Sequence, residues 1–127
     1  LQLYPDKESE VTRPAQIAVD RFGRSFIFSK KYFIELFNRE GARESCIKKT
    51  GVWLNDLAVD PRGDIFGVDA RHGELLRINP NQPKARWSFG PTKAAENCSS
   101  LGFDSYGRMY LLDTTTGVVV RLREVVR

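Results

Sequence analysis

The chain writes one phrase three times: "IAVDRFGRSFIF" from Ile17, "LAVDPRGDIFGV" from Leu57 and "LGFDSYGRMYLL" from Leu101. Aligned on Asp20, Asp60 and Asp104, the copies stand 40 and 44 residues apart, and each Asp is followed three residues on by Gly23, Gly63 or Gly107. Self-similarity at this period belongs to blades, solenoid units and arrays. In these each repeat is one supersecondary unit that cannot bury its own apolar face and must stack on a neighbour. The repeat therefore limits the chain to architectures in which like packs against like.

Inside each copy the local chemistry is that of a hairpin. "QIAVD", "NDLAVD" and "SSLGFD" are short apolar runs that stop at Asp. "DRFG", "DPRG" and "DSYG" fit a type I turn: Asp hydrogen-bonds its own turn, Pro61 presets φ at the second position, and Gly is favoured at the fourth. Aromatic and branched residues follow in "RSFIFS", "DIFGVD" and "RMYLLD", as strands prefer. A second turn comes next, "DARHGE" in copy two and "DTTTGV" in copy three, with the shorter "SKKYF" in copy one, and then an outer strand, "FIELFN", "LLRIN" or "VVVRL".

Further strand candidates lie between the copies: "SCIKKTG" ahead of the second and "KARWSFG" ahead of the third, with "LQLYP" in that role for the first. The chain then parses as three four-stranded antiparallel meanders over residues 1–38, 45–79 and 84–123, with leading strands at 1–5, 45–49 and 84–89. "PTKAAENCSS" reads as a stray helical turn or a loop. No helical period, heptad or low-complexity tract interrupts this.

Composition sets few limits. Hydrophobic residues are 41% and charged residues 28% of 127, ordinary for one globular domain with its own core. No apolar run reaches the ~18 residues of a spanning helix, and "LQLYPDKESE" lacks the basic and apolar regions of a secretory signal. A net charge of +4 favours acidic partners: nucleic acid, anionic glycans or an acidic protein face. Cys46 and Cys98 have neither metal-site spacing nor partners, and free thiols are the expectation. His72 is the single histidine and falls in a turn facing water. No Ser-His-Asp order, phosphate loop or zinc signature occurs, so an enzyme is not the first expectation.

The stretches "RPAQIAVDRFGRSFIFSKKYFIELFNREG" and "WLNDLAVDPRGDIFGVDARHGELLRINPN", and more loosely "CSSLGFDSYGRMYLLDTTTGVVVRLRE", resemble the NHL repeat. They are also similar to the related blades of senescence-marker/gluconolactonase-type propellers. The resemblance runs over nearly all of the chain after Thr12. It implies an all-β fold of three four-stranded antiparallel blades, half of a six-bladed β-propeller, with residues 1–127 as a single propeller segment. Propellers close with four to eight blades, so three leave two apolar faces open. A second copy pairing head to tail, or a partner chain supplying the missing blades, would close the ring.

In that geometry the leading strand of each blade lines the channel and the turns fall on two rims. The first rim would carry Gln16, Asn55, Asp56, Ser99 and Ser100, as candidates for a channel ligand. In gluconolactonase-like families carboxylates and asparagines there hold a divalent metal. By that resemblance Asn55 and Asp56 are the metal candidates, with Ca²⁺ or Mg²⁺ the ions such oxygens suit. They are few for such an ion, and no resident cofactor is the first expectation. The opposite rim would carry Arg21, Phe22, Arg24, Arg39, Arg62, Lys84, Tyr106 and Arg108, cations interleaved with rings. That is a chemistry for single-stranded nucleic acid, and NHL propellers as a class bind RNA or protein on a rim. Trp53 and Trp87 are expected to pack between blades. Three functions stay open: a binding scaffold whose ring captures a protein, glycan or RNA; a divalent-metal-dependent lactonase or hydrolase; and an RNA-binding module.

Overall fold

The computed structural model describes Leu3 and residues 13–30, 33–47, 50–51, 53–90 and 92–122, with backbone alone at 83–87 and 89. Three antiparallel sheets follow one another along the chain. The first holds β1 (Pro14–Val19), β2 (Ser25–Ser29), β3 (Ile34–Phe37) and β4 (Arg43–Ile47), in that order. The second holds β5 (Asp56–Val59), β6 (Ile65–Asp69), β7 (Glu74–Asn79) and β8 (Gln82–Phe89). The third holds β9 (Ser100–Phe103), β10 (Met109–Asp113) and β11 (Val118–Leu122), three strands among the described residues. A single four-residue helical turn, α1 (Lys93–Glu96), lies between the second and third sheets in sequence, started by Thr92, whose hydroxyl accepts the Ala94 N–H at 3.1 Å. Among the described residues no helix is long and apolar enough to cross a membrane.

The repeated phrase builds the first hairpin of every sheet by the same hydrogen bonds. Asp20 Oδ1 accepts the N–H groups of Phe22 and Arg24, Asp60 Oδ1 those of Arg62 and Asp64, and Asp104 Oδ1 those of Tyr106 and Arg108, all at 2.9–3.0 Å. The following glycine donates back to the Asp carbonyl in each copy. Gly23, Gly63 and Gly107 have φ of 83°, 97° and 83°, a region a side chain occupies only under strain. The Asp-x-x-Gly spacing is thus a complete local instruction for the turn.

Sheet membership differs from the parse by one strand. The strands expected at 45–49 and 84–89 to open the second and third blades close the preceding sheets instead: β4 pairs with β3, and β8 with β7. The sheets accordingly run over 14–47, 56–89 and 100–122 rather than 1–38, 45–79 and 84–123. The strand expected at 1–5 lies outside the described residues. The reason is loop length. Asn38 Oδ1 accepts the N–H groups of Glu40 and Ala42, and Gly41 takes φ 84°. This is the same kind of turn in different letters, and it folds β4 straight back onto β3.

The innermost strand of each sheet is therefore the repeated one. β1 lies against β5 and β5 against β9, which is where the sheets converge, whereas β4 and β8 lie at the far edges. The strands expected at 45–49 and 84–89 therefore lie at the far edges and not where the sheets converge.

Strand alternation sends Ala18, Phe26, Phe28, Ile34, Leu36 and Ile47 to one face of the first sheet. They meet Leu57, Ile65, Ile78 and Leu54 of the second in one buried cluster. The other face of the second sheet, through Val68 and Leu75, meets Leu101, Met109 and Leu111 of the third, with Ala95 of α1 and Cys98 filling the end. Phe66 and Phe103 close this junction with ring centroids 4.9 Å apart. Trp53 packs edge-on against Phe28 at 5.3 Å between the first two sheets, as expected of it, while the Trp87 side chain is outside the description.

Candidate functional site

Counting from the three turn aspartates gives equivalent positions in the three sheets. Gln16, Asp56 and Ser100 are one set, each at or near the start of an innermost strand. Ala15, Asn55 and Ser99 are the set before it. The structure brings the first-rim candidates to one end of the molecule, and it employs most of them. Asn55 Oδ1 accepts the Ala70 N–H at 3.0 Å, tying the start of β5 to the β6–β7 turn. Ser99 does the same in the third sheet, its hydroxyl donating to the Leu112 carbonyl at 3.0 Å and accepting the Thr114 N–H at 3.2 Å.

Asp56 does something sequence reasoning missed. Its Oδ2 accepts the Leu101 N–H at 2.9 Å and the Ser100 hydroxyl at 3.1 Å, so one carboxylate clamps the innermost strand of the second sheet to that of the third. No local signal marks this, because the partner lies 45 residues away.

These contacts decide whether a divalent ion fits. Ca²⁺ takes six to eight oxygen ligands and Mg²⁺ six. Asn55 spends its side-chain oxygen on a backbone donor, and Asp56 spends one oxygen on two donors. Among the described residues no group of three or more His, Cys, Asp or Glu is placed to hold a metal. The described residues do not by themselves make up a Ca²⁺ or Mg²⁺ site.

The basic-rim candidates fall on the opposite end, in the Asp-x-x-Gly turns and, for Arg39, in the β3–β4 turn. The structure divides them. Arg24 Nε lies 2.7 Å from Asp20 Oδ2, and Arg108 Nε lies 2.6 Å from Asp104 Oδ2, so both staple their own turns. In the second sheet the equivalent residue is Asp64, and it pairs with Arg77. Arg21, Arg39 and Arg62 have no ion pair among the described residues. Lys84 falls inside β8 rather than on a turn.

Phe22, Arg62 and Tyr106 occupy one equivalent position, the exposed tip of each turn. Arg21 stacks over Phe22 at 4.9 Å and Arg108 over Tyr106 at 5.2 Å. Beside these tips, among the first-hairpin turns of the three sheets, a hollow of about 260 Å³ is lined by Arg21, Asp60, Pro61, Phe103 and Asp104 among others. Partial desolvation pushes the Asp104 carboxyl upward, but the Arg108 N–H, the guanidinium, the Tyr110 hydroxyl and the Tyr106 N–H outweigh it and hold the group at about 2. Its folded value is depressed, so the stabilisation it gives is present at neutral pH and is lost as pH falls from the ordinary carboxylate range through about 2.

His72 lies in the β6–β7 turn with Nδ1 2.6 Å from Asp69 Oδ2, and Asp69 Oδ1 also accepts its N–H. Asp113 holds Thr115 and Thr116 in the same way, so the His–Asp pair is a turn staple repeated in the third sheet with threonine in place of histidine. No disulfide joins Cys46 and Cys98. Burial pushes the Cys98 thiol up, outweighing hydrogen bonds at Ser100 and Leu112 that act the other way.

No protein-family model matches the chain, and no curated protein sequence matches it. Solved structures do, at the level of fold. The crystal structure of a nidogen/laminin complex superposes with TM-score 0.67 at 20% identity, over 88% of this chain and 43% of that one. Virginiamycin B lyase from Staphylococcus aureus superposes with TM-score 0.59 at 14% identity, over 87% of this chain and 41% of that one. A streptogramin B lyase gives 0.60 at 14%, over 86% and 40%. These are β-propeller folds. The present chain is likewise a nearly all-β segment of propeller blades, spanning about two fifths of the length of the structures it matches.

Proposed function

We propose that the chain is a binding scaffold: blades of a β-propeller ring, half of a six-bladed one, that other blades complete and whose turn tips or channel mouth capture a ligand. The observation that carries this is a contrast within one set of equivalent positions. Leu57 and Leu101 face a preceding sheet and are 4% and 8% exposed, whereas Ile17, the same position in the first sheet, is 62% exposed. Val19 beside it is 59% exposed. Covering each such side chain is worth about 2 kcal/mol, and bare apolar faces of this kind mark interaction surfaces.

On the turn rim, Phe22, Arg62 and Tyr106 are the residue types that anchor protein interfaces. With Arg24 and Arg108 neutralised by their own turns, the rim suits a protein segment better than a polyanion. The lactonase-like reading is not favoured, because no group of metal-ligating side chains stands among the described residues to support it.

Thermal unfolding of the wild type and of Asp56→Ala, each with Ca²⁺, Mg²⁺ or chelator, separates the readings. The scaffold predicts that Asp56→Ala destabilises by about 1.5–3 kcal/mol, the scale of losing a charged acceptor from buried donors, by the same amount in every buffer. A rise in melting temperature with either ion that Asp56→Ala removes would shift the assignment to a metal-dependent enzyme. Tight binding of a single-stranded RNA that weakens steeply with salt would shift it to nucleic acid.

A further inference from the structure

The two open faces carry groups that answer each other. On the outer face of the first sheet, where Ile17 and Val19 are bare, Glu35 is mostly covered, its side chain 15% exposed, and lies beside Ile27 and Cys46 in the position that Leu76 and Val120 hold in the other sheets. One carboxylate oxygen is 3.5 Å from Arg43, and the other is buried with no hydrogen-bond partner among the described residues. On the outward face of the third sheet stand Gly102, Tyr110, Leu112, Val119 and Arg121. Arg121 occupies the position of Arg77, but Arg108 replaces the aspartate that Arg77 pairs with, and the Arg121 guanidinium has no ion pair among the described residues. A buried oxygen lacking a donor is costly, and it lies on one end of a chain whose other end carries a cation with no ion pair among the described residues.

Resting on the scaffold reading, we infer that the cover is a second copy of this chain, set head to tail so that the outward face of its third sheet lies on the bare face of the first. The internal junctions supply the template. Leu36 and Leu76, which hold the Arg121 and Glu35 positions at the first junction, belong to one buried cluster. Repeating that step brings Arg121 of one copy to Glu35 of the other. Phe66 packs on Phe103 at the second junction, and by the same step Tyr110 packs on Val19. The Ser100 hydroxyl, equivalent to the Asp56 carboxylate, faces the Ile17 N–H. Each chain holds both halves of the junction, so two copies close a ring of six blades.

Sedimentation velocity on the full chain tests this. The wild type is expected at twice the 14.5 kDa chain mass. Glu35→Arg and Arg121→Glu alone should each weaken the dimer at least about thirtyfold, and the two reversals together should restore it. Arg121 is exposed, so Arg121→Glu reports on assembly even where Glu35→Arg compromises folding. A dimer indifferent to Arg121→Glu, or not rescued by the double reversal, overturns the inference. A 14.5 kDa species that binds a hydrophobic dye overturns the second copy but leaves the ring to another chain. A 14.5 kDa species that binds no dye overturns both.

Discussion

Replacing Phe26 with alanine is expected to destabilise the protein by about 3–5 kcal/mol, the range for removing a fully buried aromatic ring. Phe26 has no exposed surface. It lies on the face where the first sheet meets the second, in the cluster with Leu57, Ile65 and Ile78, and the Arg24 guanidinium covers it at 5.5 Å. Its removal opens a cavity between two sheets whose backbones are pinned by their own ladders, so the gap cannot collapse. Urea titration should show the midpoint falling by about 2 M. The equivalent change at Tyr110, on the outward face of the third sheet, should cost a single unassembled chain far less.

Gly67→Val is the second large expected effect, and it acts by overfilling. A Cβ at Gly67 would stand 2.6 Å from Leu54 Cδ1 and 2.9 Å from Cδ2, and Leu54 is itself fully buried. The equivalent residues are Ile27 and Leu111, so the strand position tolerates a large side chain elsewhere. Here the space already belongs to Leu54, which is buried between the first two sheets. Two methyl groups beyond the Cβ should cost about 3 kcal/mol, read as a lowered urea midpoint. Gly67→Val combined with Leu54→Ala should recover part of the loss.

Gly67 also shows what the sequence holds and what it hides. The turns were legible because their chemistry is local: Asp and Gly three residues apart specify the hydrogen bonds and the φ without help from elsewhere. The period was legible for the same reason. Sheet membership was not, since residues 43–47, Arg-Glu-Ser-Cys-Ile, carry too little apolar alternation to say whether they pair backward or forward. The deciding signal was Asn38 and Gly41, which repeat the Asp-x-x-Gly spacing in different letters. Asp56 was picked out as a channel residue, but its role as a clamp depends on Leu101 lying across a junction that only the folded chain creates. The turn positions of Arg21, Phe22, Arg24, Arg62, Tyr106 and Arg108 follow from the Asp-x-x-Gly spacing, but Lys84 falls inside β8, and the separation of Arg24 and Arg108 from Arg21, Arg39 and Arg62 required the carboxylates of Asp20 and Asp104 in three dimensions.

The central claim is that one repeated sheet stacks on the next by a fixed step, and that the first face of the series is built for a cover it does not find among the described residues. Placing aspartate at the same position in all three sheets addresses it directly, with urea unfolding and mass measured on Ile17→Asp, Leu57→Asp and Leu101→Asp. The account predicts that the second and third abolish cooperative folding, while Ile17→Asp leaves a cooperatively folded chain that no longer assembles. Equal destabilisation by all three, or an Ile17→Asp protein of unchanged mass, would contradict it.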